Sequence, residues 1–213
     1  MAKTVYQAFC DGACTKLGIG GAGGFIMNGG KVKLAFSLDQ NDTTNNQMEM
    51  SGVVLAILGF LEIANEGDVL EVSTDSQYVQ KGITEWSKNW IKKNWVNASG
   101  QPVLNKDLWL LLLELIQTVR QLGYGFKIKW VRGHNGNAGN EVSDFLASRL
   151  NPDRSHNKVK DDIEANIRHN YEGRDELTSY RPEIYAAVQV GFGDGDVVDN
   201  LNVIIENSHE IFV

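Results

Sequence analysis

The sequence predicts an α/β fold: three apolar strands follow one another at the start, and helix-period stretches then alternate with further strands. Acidic side chains stand where these elements end or begin. Thr4 to Cys10 reads as the first strand, since five of its seven residues are apolar or aromatic, and it runs into Asp11-Gly12. A strand this apolar is buried on both faces, so an ionised Asp11 needs a cation unless it merely opens a turn. Gly18 to Gly24 holds five glycines, which suits a turn and a close backbone approach. It lacks the Lys and Ser/Thr of a phosphate-binding loop. Phe25-Ile26-Met27 and Val32 to Phe36 are the second and third strands, joined by the turn Asn28-Gly29-Gly30.

Capping side chains at Asp42 to Asn46 introduce a long helix from about Gln47 to Ala64. Residues 49, 53, 56, 60 and 63 share one face, and Glu49 is the only charge on it, although a first-turn Glu also serves as a cap. Val69 to Thr74 is a fourth strand, ending at Asp75, where α/β proteins place ligand-binding groups and where an N-cap is equally at home. Glu85 to Trp95 interleaves Trp86, Trp90 and Trp95 with Lys88, Lys92 and Lys93. Such a pattern fits either a nucleic-acid grip or an amphipathic helix with a solvated face. Asn105 to Leu122 is a second long helix and Phe126 to Val131 a fifth strand. The polar, glycine-rich loop from Arg132 carries His134, and a last helix from about Asn140 to Leu150 carries Asp144 in its first turns.

Composition sets wider bounds. At 213 residues, 42% hydrophobic and 22% charged, the chain fits one domain with an appendage. Its longest uncharged apolar run, Val53 to Leu61, is too short for a bilayer, and Met1-Ala2-Lys3 leads directly into a strand, so no membrane association is expected. Cys10 and Cys14 are expected to be reduced thiols in a cytoplasmic setting, and they are too few for a structural zinc site. Residues 1–151 carry 14 acidic and 14 basic side chains, and residues 152–213 carry 13 and 6, so the net charge of −7 sits in the tail.

Asp11, Glu49, Asp75 and Asp144, brought together by alternating strands and helices, form a candidate site for a hard cation such as magnesium or manganese. The motifs Phe9-Cys10-Asp11-Gly12, Thr43 to Glu49, Ser73 to Val79, Gly82 to Trp86, and Trp130 to His134 followed by Asn140 to Asp144 closely resemble those of type 1, bacterial-type ribonucleases H over residues 1–151. The resemblance implies a five-stranded mixed sheet, its first three strands antiparallel, flanked by helices. It also implies hydrolysis of the RNA strand of an RNA–DNA hybrid to 5′-phosphate and 3′-hydroxyl ends. Two Mg2+ ions, or Mn2+ in substitution, would be held by Asp11, Glu49, Asp75 and Asp144, with His134 in proton transfer or product release. Asn46 and Gln77 would face the hybrid's minor groove, where amides can read a 2′-hydroxyl. Asn45 and Asn140 would help hold the strands, and Trp86, Lys88, Trp90, Lys92 and Lys93 would form a basic protrusion on the DNA strand. A silent hybrid-binding module of the same fold is the alternative, and a DNA nuclease or integrase is disfavoured by Asn46 and Gln77.

Two features depart from that pattern. The turn Cys14 to Gly20 lacks the Gly-Asn-Pro common there, and residues 152–213 have no counterpart in the minimal family. In this tail Pro152 to Asn157 reads as a linker, Asp161 to Tyr171 as a helix, and Tyr185 to Val190 and Leu201 to Ile205 as strands of a small α+β extension. Asp194-Gly195-Asp196 reads as a turn. Being acidic, the tail is expected to serve a protein partner or self-association rather than the hybrid.

Overall fold

The computed structural model describes residues 3–148, 186–191 and 195–212, together with positions 165 and 169. Val5–Cys14 (β1), Gly20–Asn28 (β2) and Lys31–Gln40 (β3) form an antiparallel meander. Val69–Thr74 (β4) pairs parallel with β1, and Gly125–Trp130 (β5) parallel with β4, giving the expected five-stranded mixed sheet. A sixth strand comes from the tail: Ala186–Gly191 (β6) lies parallel to β3, and the order is β5-β4-β1-β2-β3-β6.

The first strand does not stop at Asp11, as its sequence leads one to expect. It continues to Cys14, with Asp11 opposite Gly23 and Cys14 opposite Gly20, so most of the glycine-rich stretch is strand rather than turn. The helix Ala138–Ala147 (α5) explains those glycines. A side chain at Gly21 or Gly23 would collide with the α5 backbone around Leu146 and Ala147, so glycine lets this helix lie directly on β2.

On that face α5 packs Val142 and Leu146 against Phe25, Met27, Val32 and Ala35. The opposite face carries the main core, built on Asn45–Ile63 (α1) and Lys106–Gln121 (α4). Between the sheet and α4, α1 is buried at every residue from Met48 to Phe60, which explains a helix apolar all round. The connection from β4 is nearly continuous helix: Gln77–Lys81 (α2), a π-helical turn at Gly82–Trp86 and Ser87–Lys92 (α3).

Leu201 to Ile205 is helical, contrary to the strand expected there. It belongs to Val197–Glu206 (α6), followed by Ser208–Phe212 (α7). The Asp196 side chain accepts hydrogen bonds from the Val198 and Asp199 amides, and Val197, Leu201 and Ile204 recur on one buried face. An N-cap plus a stripe at helical spacing outweighs the local β-propensity of valine and isoleucine. These three residues join the main core beside α1 and α4. The expected linker lies outside the described residues, as does nearly all of the expected helix from Asp161 to Tyr171.

Candidate active site

Register brings the first two carboxylates together. β1 and β4 are parallel neighbours with Phe9 beside Ser73, so Asp11 and Asp75, each two residues further on, emerge at the same level. Glu49 reaches them because Gly12 carries no side chain. A Cβ there would collide with the backbone of Met48 and Glu49, and its absence allows the first turns of α1 to close on β1. Oxygens of Asp11, Glu49 and Asp75 thus lie within 4.8 Å of one another.

None of these side chains is occupied in capping a helix, and nor is Asp144. Thr44 caps α1: its hydroxyl accepts from the Gln47 amide at 3.3 Å while Gln47 Oε1 accepts from the Thr44 amide at 2.9 Å. Ser76, rather than Asp75, caps α2, and Asn137 caps α5. Asp144 stands in the second half of α5, later than its sequence position suggested, where it serves no N-terminal role. The carboxylates are therefore free for a ligand.

Burial makes that freedom costly. Asp11 and Glu49 are buried, and burial, then the neighbouring Asp75 charge, pushes the Asp11 carboxyl up to about 7. Glu49 rises to about 9, first by burial and then by the charge of Asp11. Two ionised carboxylates at this spacing repel by about 3 kcal/mol at an effective dielectric of about 20. Glu49 Oε2 and Asn140 Oδ1 are buried without a hydrogen-bond partner. A cluster of oxygen donors, charged alike and partly orphaned, fits a hard divalent cation, which would satisfy the donors and cancel the repulsion.

Around the triad, Asp144 Oδ2 lies 4.0 Å from His134 Nδ1, and burial raises the Asp144 carboxyl. The structure thus gathers three of the four expected carboxylates into one cluster and sets Asp144 beside it, next to an exposed His134. Asn140 is nearly inaccessible, and its amide donates to Asp11 Oδ2 at 3.4 Å and to Asp75 Oδ2 at 3.5 Å. Asn45 donates to Glu49 Oε1 at 3.4 Å. Asn46 and Gln77 are exposed on the first turns of α1 and α2.

The protrusion divides into two layers. Lys88, Lys92 and Lys93 are exposed, whereas Trp90, expected to contact substrate, is only 9% exposed and packs against Trp86, Trp95 and Trp109. Trp90 is therefore a core residue beneath the lysines, because its ring fills the space between α3 and α4. Trp86 is half-buried. Sequence reasoning missed Trp130, whose Nε1 donates to the Asp75 carbonyl at 2.8 Å and fixes the backbone that carries this carboxylate. It also missed Gly133, where any side chain would strike the Asp75 carboxylate. Both lie in the Trp130 to His134 motif, the one signal that would have found them.

Comparison with known proteins agrees with this geometry. A family model described as RNase H matches residues 3–151. The chain is 43% identical over 144 residues to a ribonuclease H of Geotalea uraniireducens, covering 66% of this chain and 90% of that protein. It is 43% identical over 150 residues to a ribonuclease H of Thiobacillus denitrificans, covering 70% and 95% respectively. Among solved structures it resembles LC9-RNase H1, a type 1 RNase H with the type 2 active-site motif, with a TM-score of 0.57, 28% identity, and coverage of 69% of this chain and 72% of that one. A foamy viral protease-reverse transcriptase in complex with RNA/DNA hybrid shares the fold at 19% identity and a TM-score of 0.54, over 68% of this chain and 19% of that one. With carboxylate oxygens converging from β1, β4 and α1, and a family model covering the residues that carry them, the chain belongs to the ribonuclease H family.

Proposed function

We propose that this protein is an endonuclease that hydrolyses the RNA strand of RNA–DNA hybrids, leaving 5′-phosphate and 3′-hydroxyl ends. The observation that carries the reading is the capping-free cluster of Asp11, Glu49 and Asp75, the first two of them buried. Two magnesium ions held by these residues and Asp144 would supply charge stabilisation to the attacking and leaving oxygens of an in-line displacement. The chain's own residues supply the rest. Asn140 holds Asp11 and Asp75 in register, and Trp130 anchors the turn after β4. His134, exposed and 4.0 Å from Asp144, would accept or relay a proton, a reading that its ring nitrogen beside this carboxylate supports. Asn46 and Gln77 offer both donors and acceptors to 2′-hydroxyls, which supports selection of RNA for cleavage. Lys88, Lys92 and Lys93 meet the phosphates of the DNA strand.

The test compares labelled RNA–DNA hybrid, double-stranded RNA and double-stranded DNA, with and without magnesium, and identifies the product ends. Cleavage confined to the hybrid's RNA strand, requiring magnesium and leaving 5′-phosphates, is expected. Equal cleavage of double-stranded DNA would overturn the substrate assignment.

A further inference from the structure

Among the described residues, the tail meets the end of β3 at a buried amide, Gln40. Gln40, the last residue of β3, is 1% exposed, and its side chain is satisfied largely by residues about 160 positions away. Its Oε1 accepts from Asn200 Nδ2 at 2.8 Å, and its Nε2 donates to the Gly195 carbonyl at 3.0 Å and to the Asn41 carbonyl at 2.9 Å. Gly195 presents that carbonyl from a backbone with φ of +120°, a conformation in which a side chain is strained.

The clasp matters because Gln40 leads directly into the start of α1. Within four residues the chain passes Asp42, which has a positive φ of 51°, and reaches Thr44, the N-cap of α1. Asn45 and Asn46 are the first two residues of that helix. On its other flank the loop is held by the β1–β2 turn, where the Thr43 amide donates to the Gly18 carbonyl at 3.0 Å. The β3–α1 loop is thus braced from two sides. The brace at Gln40 belongs to a tail that lies beyond the region matched by the family model.

We propose that Asn200 and Gly195 are positioning residues for hybrid binding: by clasping Gln40 they fix the loop that leads into α1 and presents Asn46 to the minor groove. The inference rests on the hybrid-reading role of Asn46 proposed above. Loss of the clasp removes hydrogen bonds from a buried amide without touching the carboxylates, so it raises KM and spares kcat.

The experiment measures hybrid-cleavage kinetics of the whole 213-residue chain carrying Asn200→Ala, Gln40→Met, Asn46→Ala or His209→Ala. His209 pairs with Glu62 at 3.0 Å at the far end of α1, so its variant loosens the tail without reaching the loop. Asn200→Ala, which removes one hydrogen bond to Gln40, and Gln40→Met, which removes three, are expected to raise KM about three- to tenfold, with kcat within about twofold. His209→Ala is expected to leave both constants unchanged. If Asn46→Ala raises KM while the folded clasp variants do not, the clasp inference alone fails. An equal rise in His209→Ala would also overturn it, because the tail would then act only as a general brace. If Asn46→Ala itself leaves KM unchanged, the hybrid-reading role falls and the clasp inference falls with it.

Discussion

The carboxylate cluster and the tryptophan stack flank the same short helix, α2, and both are buried, yet they are opposites energetically. The stack is complete in itself: Trp90 meets Trp86, Trp95 and Trp109, and Trp109 Nε1 donates to the Tyr78 hydroxyl at 2.9 Å. Aromatic burial of this kind stabilises without help from solvent or ligand. The cluster is incomplete. It buries like charges beside orphaned oxygens, and the fold tolerates it only because the large apolar core elsewhere offsets the cost. Burial of a polar group with a partner builds structure, whereas burial without one marks the place where a ligand belongs.

The largest expected effect breaks the incomplete side. Asp11→Asn should lower magnesium-dependent cleavage about a thousandfold or more, since loss of a ligand charge removes several kcal/mol of transition-state stabilisation. The same change should raise the melting temperature of the metal-free protein, because it relieves a buried, repelled carboxylate. Unchanged turnover would remove Asp11 from the site. On the complete side, Trp90→Ala should cost about 3–5 kcal/mol of stability, the usual range for a buried aromatic, and lower the melting temperature by roughly 6–20 °C. A loss below about 1 kcal/mol would show that the ring is not core. His134→Ala sharpens the contrast, since an exposed proton carrier contributes to rate and little to stability. Turnover is expected to fall about 10- to 100-fold with the melting temperature unmoved. The smallest effect belongs to the lysines above the stack. Changing Lys88, Lys92 and Lys93 together to Ala should lower the salt slope of hybrid binding by a little under about one unit per lysine, measured by titration at several salt concentrations. An unchanged slope would return them to the role of a solvated face.

How much of this was legible in the sequence depended on the range of the forces involved. The four carboxylates stood out because each interrupts an apolar element, and the helices α1 and α4 were read within two residues of their ends. That Thr44, Ser76 and Asn137, rather than the acidic residues, cap the helices is a local fact that residue type alone does not decide. The glycines of β2 looked like a turn because their cause, the backbone of α5, lies more than 100 residues away. The spacing of Trp90 among the lysines left a substrate contact and a core position both open, because its partner Trp109 comes from another helix. Leu201 to Ile205 was misread because five residues rich in valine and isoleucine fit either period, and only the core beside α1 chooses between them.

A divalent cation is expected to stabilise the buried cluster of Asp11 and Glu49. The most direct measurement is thermal unfolding from pH 5 to pH 9, in chelator and in magnesium. Both carboxyls are raised in the folded state, to about 7 and about 9, so the metal-free fold holds protons that the unfolded chain releases near pH 4. Their contribution to stability is therefore present at low pH and lost as pH rises through about 7 and then about 9. The contribution to metal-free melting temperature is expected to decline over this range and to shrink in Asp11→Asn, where the buried Glu49 alone retains it, while stabilisation by magnesium grows with pH as the competing protons leave. A magnesium effect that is absent, or equal in wild type and Asp11→Asn at pH 9, would contradict it.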